Sequence, residues 1–326
     1  MTFANPATRR FLILIAALFT LASVASATEN GASVWPVGSD TYSMAIAPQE
    51  AGQTMLYEYT CYMEANALVD AHGQMLPGKF KLNAEAVAVE IAHNWGLKVL
   101  GGKLVSQVAV PFIANEQLET STATYSNRNI TNINIVPLSL VYHKGMAYWR
   151  YDFQAPSMAF GYEKGAPLNI GQHNLSFAPS TSITLVPHKG AQNISVRLDY
   201  LMNNPNPSTH YHGGNEFFTQ FDAQQAIPFH QMSLGVTGFF YKQITNDTQN
   251  GATVVTTNAD GSTSLGYKGR AFDLGPQVKL PWGKRGAMLF KWEHDMLVQN
   301  KIRGNTYWFQ FGIPFSYLHP SRGTGE

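Results

Sequence analysis

The stretch Tyr307-Trp308-Phe309-Gln310-Phe311-Gly312-Ile313-Pro314-Phe315 decides the fold. Every second residue is large and apolar, and Trp308, Gln310, Gly312 and Pro314 fall between. Side chains of a strand point alternately to its two faces, so this is a β-strand with one greasy face. An exposed aromatic row invites aggregation on a soluble sheet edge, whereas a barrel strand between lipid and a lumen requires it. The pattern predicts that Tyr307, Phe309, Phe311 and Phe315 meet lipid and that Gln310 faces inward. Phe315 would be the closing aromatic that barrel-assembly machinery reads, with residues 316–326 as a polar tail.

The other end of the chain fits an exported protein. Arg9 and Arg10 precede an apolar run from Phe11 to Ala22, and Ala25-Ser26-Ala27 follows as a small-x-small cleavage site. The run is shorter than the roughly 20 residues that a spanning helix needs. Residues 1–27 are therefore expected to be a signal peptide, residues 28–52 an irregular N-terminal segment and possible lumen plug, and residues 53–315 the barrel. No internal repeat or second domain is evident.

Charged residues are 13% of the chain and aromatic residues 12%. No apolar run after the signal is long enough for a transmembrane helix. Removing Arg9 and Arg10 takes the basic count from 22 to 20 against 21 acidic residues, so the mature chain is near neutral and lacks the basic footprint of a nucleic-acid binder. The single cysteine, Cys61, has no internal disulfide partner. It shares parity with Tyr57, Tyr59 and Met63, which suits a small apolar residue on a barrel wall.

Period-two alternation predicts twelve strands, near residues 54–68, 79–93, 98–112, 130–142, 147–156, 181–187, 193–202, 215–227, 232–243, 269–280, 287–298 and 306–315. Short links rich in Gly or Pro (143–146, 187–192, 228–231 and 281–286) alternate with long polar ones (113–129, 157–180, 203–214 and 244–268). That phase is expected of an outer-membrane barrel with short periplasmic turns and long outer loops. Lys81, Asn83 and Glu85 share one parity while Glu90 falls on the other, which calls for a bulge or tilt near Ala86.

The polar parity of these strands defines a predicted lumen: Glu58, Glu64, Arg150, Asp152, Arg197, Asp199, Asp273, Lys291, Glu293 and Asp295. Both signs are present, so these side chains can neutralise one another across neighbouring strands; a ring of one sign would have pointed to ion selectivity. Pro111 and Pro137 fall in strands three and four, where each removes a backbone donor and together they could open a lateral gap, or simply bend their strands. His210 and His212 have the spacing of a metal pair but lack a carboxylate or cysteine partner nearby, so no metal or other cofactor is assigned. Some outer-membrane barrels are acyl hydrolases with a His-x-Ser on one strand. The match here, His319-Pro320-Ser321, lies beyond the last strand, so no catalytic site is assigned.

Several features set along the chain carry a resemblance. They are Glu29-Asn30-Gly31 with Trp35-Pro36-Val37-Gly38, then Asn203, Asn206, Thr209, Tyr211, Gly214, Glu216 and Phe217, then Gly275-Pro276-Gln277, and finally Lys291-Trp292-Glu293-His294, Asn300, Gly304, Trp308 and Phe311. In these the chain resembles the outer-membrane proteins grouped as MetA-pathway of phenol degradation, described as transporters. It departs from them at Asn132-Ile133-Asn134 and at Lys268-Gly269-Arg270. The resemblance implies passive uptake of small hydrophobic or aromatic compounds. The expectation is an all-β, twelve-stranded antiparallel barrel of the Gram-negative outer membrane, with lipid, a small hydrophobic solute and the assembly machinery as partners. A barrel that acts through its surface loops is the alternative.

Overall fold

The computed structural model describes residues 33–40, 43–155, 160–283 and 286–315. The signal segment, the polar tail and His319-Pro320-Ser321 lie outside them. Twelve strands form one antiparallel sheet that closes on itself. They are β1 (Thr54–Leu68), β2 (Phe80–Val99), β3 (Gly102–Thr120), β4 in two pieces (Thr124–Ile130 and Asn134–Lys144), β5 (Ala147–Gln154), β6 (Ser176–Leu185), β7 (Gln192–Asn203), β8 (Glu216–Ala226), β9 (Ser233–Gln243), β10 (Arg270–Trp282), β11 (Gly286–Gln299) and β12 (Ile302–Pro314). Each strand pairs with its sequence neighbours, and β1 closes the ring by pairing with β12 as well as β2. Among the described residues, closure removes the free edges of this sheet, and two small sheets of two and three short strands lie outside it. Among the described residues, no helix is long and apolar enough to cross a membrane.

The strands are longer than hydrophobic alternation alone indicates, because polar residues extend several of them past the greasy band. The segment 113–129, expected as a loop, is mostly the upper part of β3 and β4, joined by a tight turn at 121–123. The final strand begins at Ile302, four residues earlier than expected, after a two-residue turn at Asn300 and Lys301. Long connections at 155–175, 204–215 and 244–269 share an end of the barrel with these two tight turns, so the alternation of link lengths is real but not strict. We call this the loop end, and the other the turn end.

The expected irregularity near Ala86 exists, but on the facing strand. Glu85 pairs with Asn115 and Ala86 with Ile113, which leaves Ala114 of β3 as the extra residue. The pairing of β2 with β1 is continuous through this region. Lys81 and Glu85 are exposed on the outer face, whereas Glu90 lines the lumen lower down. Charge changes parity along β2 because its outer face leaves the greasy band, not because the strand flips.

The closing strand has the register read from its sequence. Tyr307 is exposed on the outer face, Phe309 meets Phe290 there with ring centroids 4.9 Å apart, and Trp308 and Gln310 are buried inside. Phe311 packs on Trp282 at the turn-end rim. Phe315 lies just past β12 and is exposed.

Residues 33–40 and 43–49 run inside the barrel. Val34 joins a buried cluster with Ala178, Leu201, Phe218, Tyr241 and Ala271, and Ala47 joins another with Ala92, Val105 and Val141. Between these, Gly38 N–H donates to Gln220 Oε1 at 2.9 Å, Ala45 N–H to Thr184 Oγ1 at 3.0 Å, and Asn193 Nδ2 to Ser43 Oγ at 2.8 Å. This segment satisfies its backbone partly on wall side chains and partly in its own turns, as where Val37 N–H donates to the Trp35 carbonyl and Ile46 N–H to the Ser43 carbonyl.

Candidate functional site

The lumen has two unlike sides. On the first, strands β4 to β9 and β11 turn polar residues inward. Arg197 sits at the centre of a buried network: its Nε lies 2.9 Å from Asp199 Oδ1 and 3.3 Å from Asp40 Oδ2, its Nη1 lies 2.9 Å from Asp152 Oδ2, and its Nη2 donates to Ser180 Oγ at 2.7 Å. Arg150 Nε is 2.5 Å from Asp152 Oδ1, which also accepts from Ser139 Oγ. Trp35 of the N-terminal segment covers the Arg197 guanidinium at 5.4 Å. Four predicted lumen residues, Arg150, Asp152, Arg197 and Asp199, thus form one cluster. It ties the inner segment to the wall through Asp40.

Lys291 and Glu293 form a second pair, 3.2 Å apart. Lys291 Nζ also donates to the Gly38 carbonyl, and Trp308 Nε1 donates to Glu293 Oε2 at 3.2 Å. Asp273 and Asp295 stand directly opposite across β10 and β11, nearer the loop end, where Asp295 also accepts from the Gly304 amide. Burying charges is costly unless they are paired and hydrogen-bonded, and the first two clusters meet that condition internally. They act as structure for the filled side of the lumen.

Glu58 and Glu64 border the lumen cavity along β1, but their carboxylates turn to the outer face. β1 turns Tyr57, Tyr59, Cys61 and Met63 inward and presents its even-numbered residues outside. Glu58 accepts from Thr60 Oγ1, and Glu64 lies 3.4 Å from the hydroxyl of the outward-facing Tyr307. The expectation assumed a uniformly polar lumen; the side lined by β1 is apolar, which reverses the parity.

On that second side lies a cavity of about 1220 Å³. Its wall is made by Tyr57, Tyr59, Cys61 and Met63 of β1, Leu82, Ala84, Ala86 and Ala88 of β2, and Ala109, Pro111 and Ile113 of β3. The inward row of alanines on β2 leaves the space open, where larger residues would have filled it. Glu90, Gln107 and Glu116 interrupt the greasy wall, and Asp40, Arg150 and Arg197 border the cavity from the filled side. Glu90 accepts from Tyr59 Oη at 3.2 Å and from Gln107 Nε2 at 2.9 Å, and Gln107 Oε1 in turn accepts from Arg150. Glu90, Tyr59, Gln107, Asp40 and Glu116 are absent from the predicted site. The signal for Glu90 was its shared parity with Ala84, Ala86, Ala88 and Ala92.

The two prolines do not stand side by side. Pro137, exposed on the outer face, marks a bulge in β4 where the register slips between Val105 and Gln107, and its carbonyl accepts from Ser106 Oγ at 2.6 Å. Pro111 lies about 16 Å farther along β3, at roughly 3.3 Å per residue. It faces the cavity where β4 is split. Pairing resumes only at Ala109 with Asn134 below and at Phe112 with Ile130 above, and a single bond, from Thr131 N–H to the Pro111 carbonyl at 3.1 Å, crosses between. Because a residue's N–H and C=O point to the same side of a strand, the donor that Pro111 lacks is on the β4 side.

His212 Nε2 bonds the Asn203 carbonyl at 2.8 Å, which holds it in the loop-end structure. Among the described residues, no group of three or more His, Cys, Asp or Glu is placed to hold a metal.

A closed antiparallel barrel with an outward apolar band and a polar, partly filled lumen is the architecture of bacterial outer-membrane proteins. Residues 65–311 match the model of the family described as "Putative MetA-pathway of phenol degradation", and the chain belongs to that family. Among solved structures it is similar to an outer membrane channel from Pseudomonas putida F1, with a TM-score of 0.68 and 11% identity, covering 87% of this chain and 100% of that one. A weaker likeness is to the translocator domain of the autotransporter NalP from Neisseria meningitidis, with a TM-score of 0.43, 9% identity and coverage of 81% and 88%. A comparison with curated proteins found no match.

Proposed function

We propose that this protein is a passive channel of a Gram-negative outer membrane for small hydrophobic or aromatic solutes. The observation that carries the reading is the apolar cavity along β1 to β3, beside a polar side filled by the N-terminal segment. Apolar solutes gain from each surface they bury there, and hydrated ions gain nothing. Family membership and the likeness to a channel barrel agree with this reading. In it, residues 1–27 are the export signal, residues 28–52 plug the polar half of the lumen, and the strand ending near Phe315 is read by the assembly machinery. No catalytic role is assigned. The break in the ladder at Pro111 is the exit, because an apolar solute in the lumen has more to gain from lipid than from water on the far side.

The test is uptake of labelled naphthalene by a lipopolysaccharide-bearing host with and without the protein. Faster uptake with the protein supports the reading. Equal uptake, with the folded barrel present in the membrane, would leave the surface-loop alternative.

A further inference from the structure

On β2 and β3 the inward cavity wall is mostly apolar, interrupted by Glu90, Gln107 and Glu116, while Asp40, Arg150, Arg197, Asp273, Asp295 and Lys301 border the same cavity from its other side. Glu90 sits at mid-lumen, half-buried, with one donor on each oxygen. A carboxylate has about four acceptor positions, so roughly two remain for a solute. Glu116 stands on the same wall, cross-strand from Ala84 and six residues up β2 from Glu90, or about 20 Å toward the loop end. Between them lie Ala86, Ala88 and Pro111, which offer only apolar surface. A solute crossing this wall therefore meets greasy contact everywhere and a hydrogen-bond acceptor at two levels.

The basic groups nearby are engaged. Arg197 serves Asp40, Asp152 and Asp199, and Arg150 serves Asp152 and Gln107. Lys301, which also borders the cavity, lies over the Tyr241 ring at 4.3 Å. The carboxyl groups of Asp40, Asp152, Asp199, Asp273, Asp295, Glu90 and Glu116 outnumber the cations Arg150, Arg197, Lys279 and Lys301, so an anionic solute meets net repulsion.

We infer that the conduit selects neutral aromatic molecules bearing a hydrogen-bond donor, a hydroxyl or amino group, over both pure hydrocarbons and aromatic carboxylates, with Glu90 as the acceptor that reads the donor. This rests on the channel reading and narrows its substrate class. A site built to hydrogen-bond a substrate discriminates against an analogue that lacks the group, because its own polar atom is then left unpaired.

The experiment uses the full chain in lipid nanodiscs and three probes of one ring size, 2-naphthol, naphthalene and 2-naphthoate, with binding to empty discs subtracted. The wild type should bind 2-naphthol about tenfold more tightly than naphthalene, the scale of one hydrogen bond, and 2-naphthoate most weakly. Glu90→Gln should shrink the naphthol advantage to within about threefold and leave naphthalene binding unchanged, while Glu85→Gln on the outer face changes nothing. Electrophoretic heat modifiability checks that each barrel is folded, and if the Glu90 variant does not fold, the wild-type ranking of the three probes decides alone. Equal binding of naphthol and naphthalene, or an advantage that survives Glu90→Gln, overturns the assignment and leaves the channel reading standing. Tightest binding of 2-naphthoate overturns it in favour of Arg150 as the recognising group. No binding by any probe overturns the channel reading and the selectivity with it.

Discussion

Gly38 of the inner segment lies so close to Glu293 that a β-carbon on Gly38 would fall 2.7 Å from Glu293 Oε2, and its φ of +88° is one that only glycine adopts freely. The same residue accepts from Lys291 and donates to Gln220, so it fastens the segment to both β11 and β8. Gly38→Val should dislodge the segment, since left-handed backbone alone costs a side chain about 1–2 kcal/mol before the clash is counted. The barrel should remain heat-modifiable, and liposomes carrying it should swell faster in small sugars than those with the wild type. Unchanged swelling would mean that the segment does not limit polar solutes.

The loop end is held by Asp70. Its Oδ1 accepts from the amides of His72 at 2.9 Å and Gln74 at 2.8 Å, its Oδ2 accepts from Ala259 at 2.9 Å, and Asn258 Oδ1 accepts from the Ala71 amide at 3.3 Å. Burial raises the Asp70 carboxyl, but the amides of Ala259, Gln74 and His72 outweigh it and hold it below the ordinary carboxylate value. A depressed pKa means that the bonds are fully present above the ordinary value and are lost only as pH falls below it. The 244–269 loop should therefore resist limited proteolysis equally at pH 7 and pH 5, and Asp70→Asn should expose it at both. Protection that fades between pH 7 and pH 5 would contradict the clasp.

Gln310 donates to the Ser39 carbonyl inside the barrel, while its neighbour Phe309 faces out. Phe309→Arg, some five residues from the turn end and thus near mid-bilayer, should destabilise the inserted barrel by about 2–4 kcal/mol. Phe311→Arg, beside Trp282 at the rim, should cost about 0–1 kcal/mol. Urea titrations of the refolded barrel in vesicles would report both, and equal costs at the two sites would contradict the placement.

Pro111→Ala supplies a donor on the β4 side of the split, where Thr131 already bonds the Pro111 carbonyl. Uptake of naphthalene should slow while the amount of folded barrel is unchanged. Pro137→Ala, at a bulge sealed by Ser106, should have little effect on uptake. If neither substitution changes the rate, the solute leaves by another route.

Much of the wall was legible because outward residues obey one rule along their whole length. Trp149, Tyr151 and Phe153 against Arg150, Asp152 and Gln154 appear in the structure as they alternate in the sequence. What misled was the assumption that inward means polar. On β1 the rule fails at Glu58 and Glu64, because there the lumen is as apolar as the lipid side and periodicity cannot tell two greasy environments apart. Glu90 reads in the sequence as a break in register, although its parity with the inward alanines marks it as a lumen residue. The meeting of Arg197 with Asp40 and Asp152 joins distant parts of the chain, and no local pattern encodes such a contact. The placement of Pro111 against the split in β4 depended on a register shift between Val105 and Gln107 that sequence does not display.

In the proposed channel, solute moves along the alanine-lined wall of β2. Ala86 projects into the cavity midway along that row, and Ala86→Trp should fill the passage there. In cells that insert equal amounts of folded barrel, labelled naphthalene uptake should drop to the rate of cells lacking the protein. Uptake at the wild-type rate with Trp at this position would contradict the account.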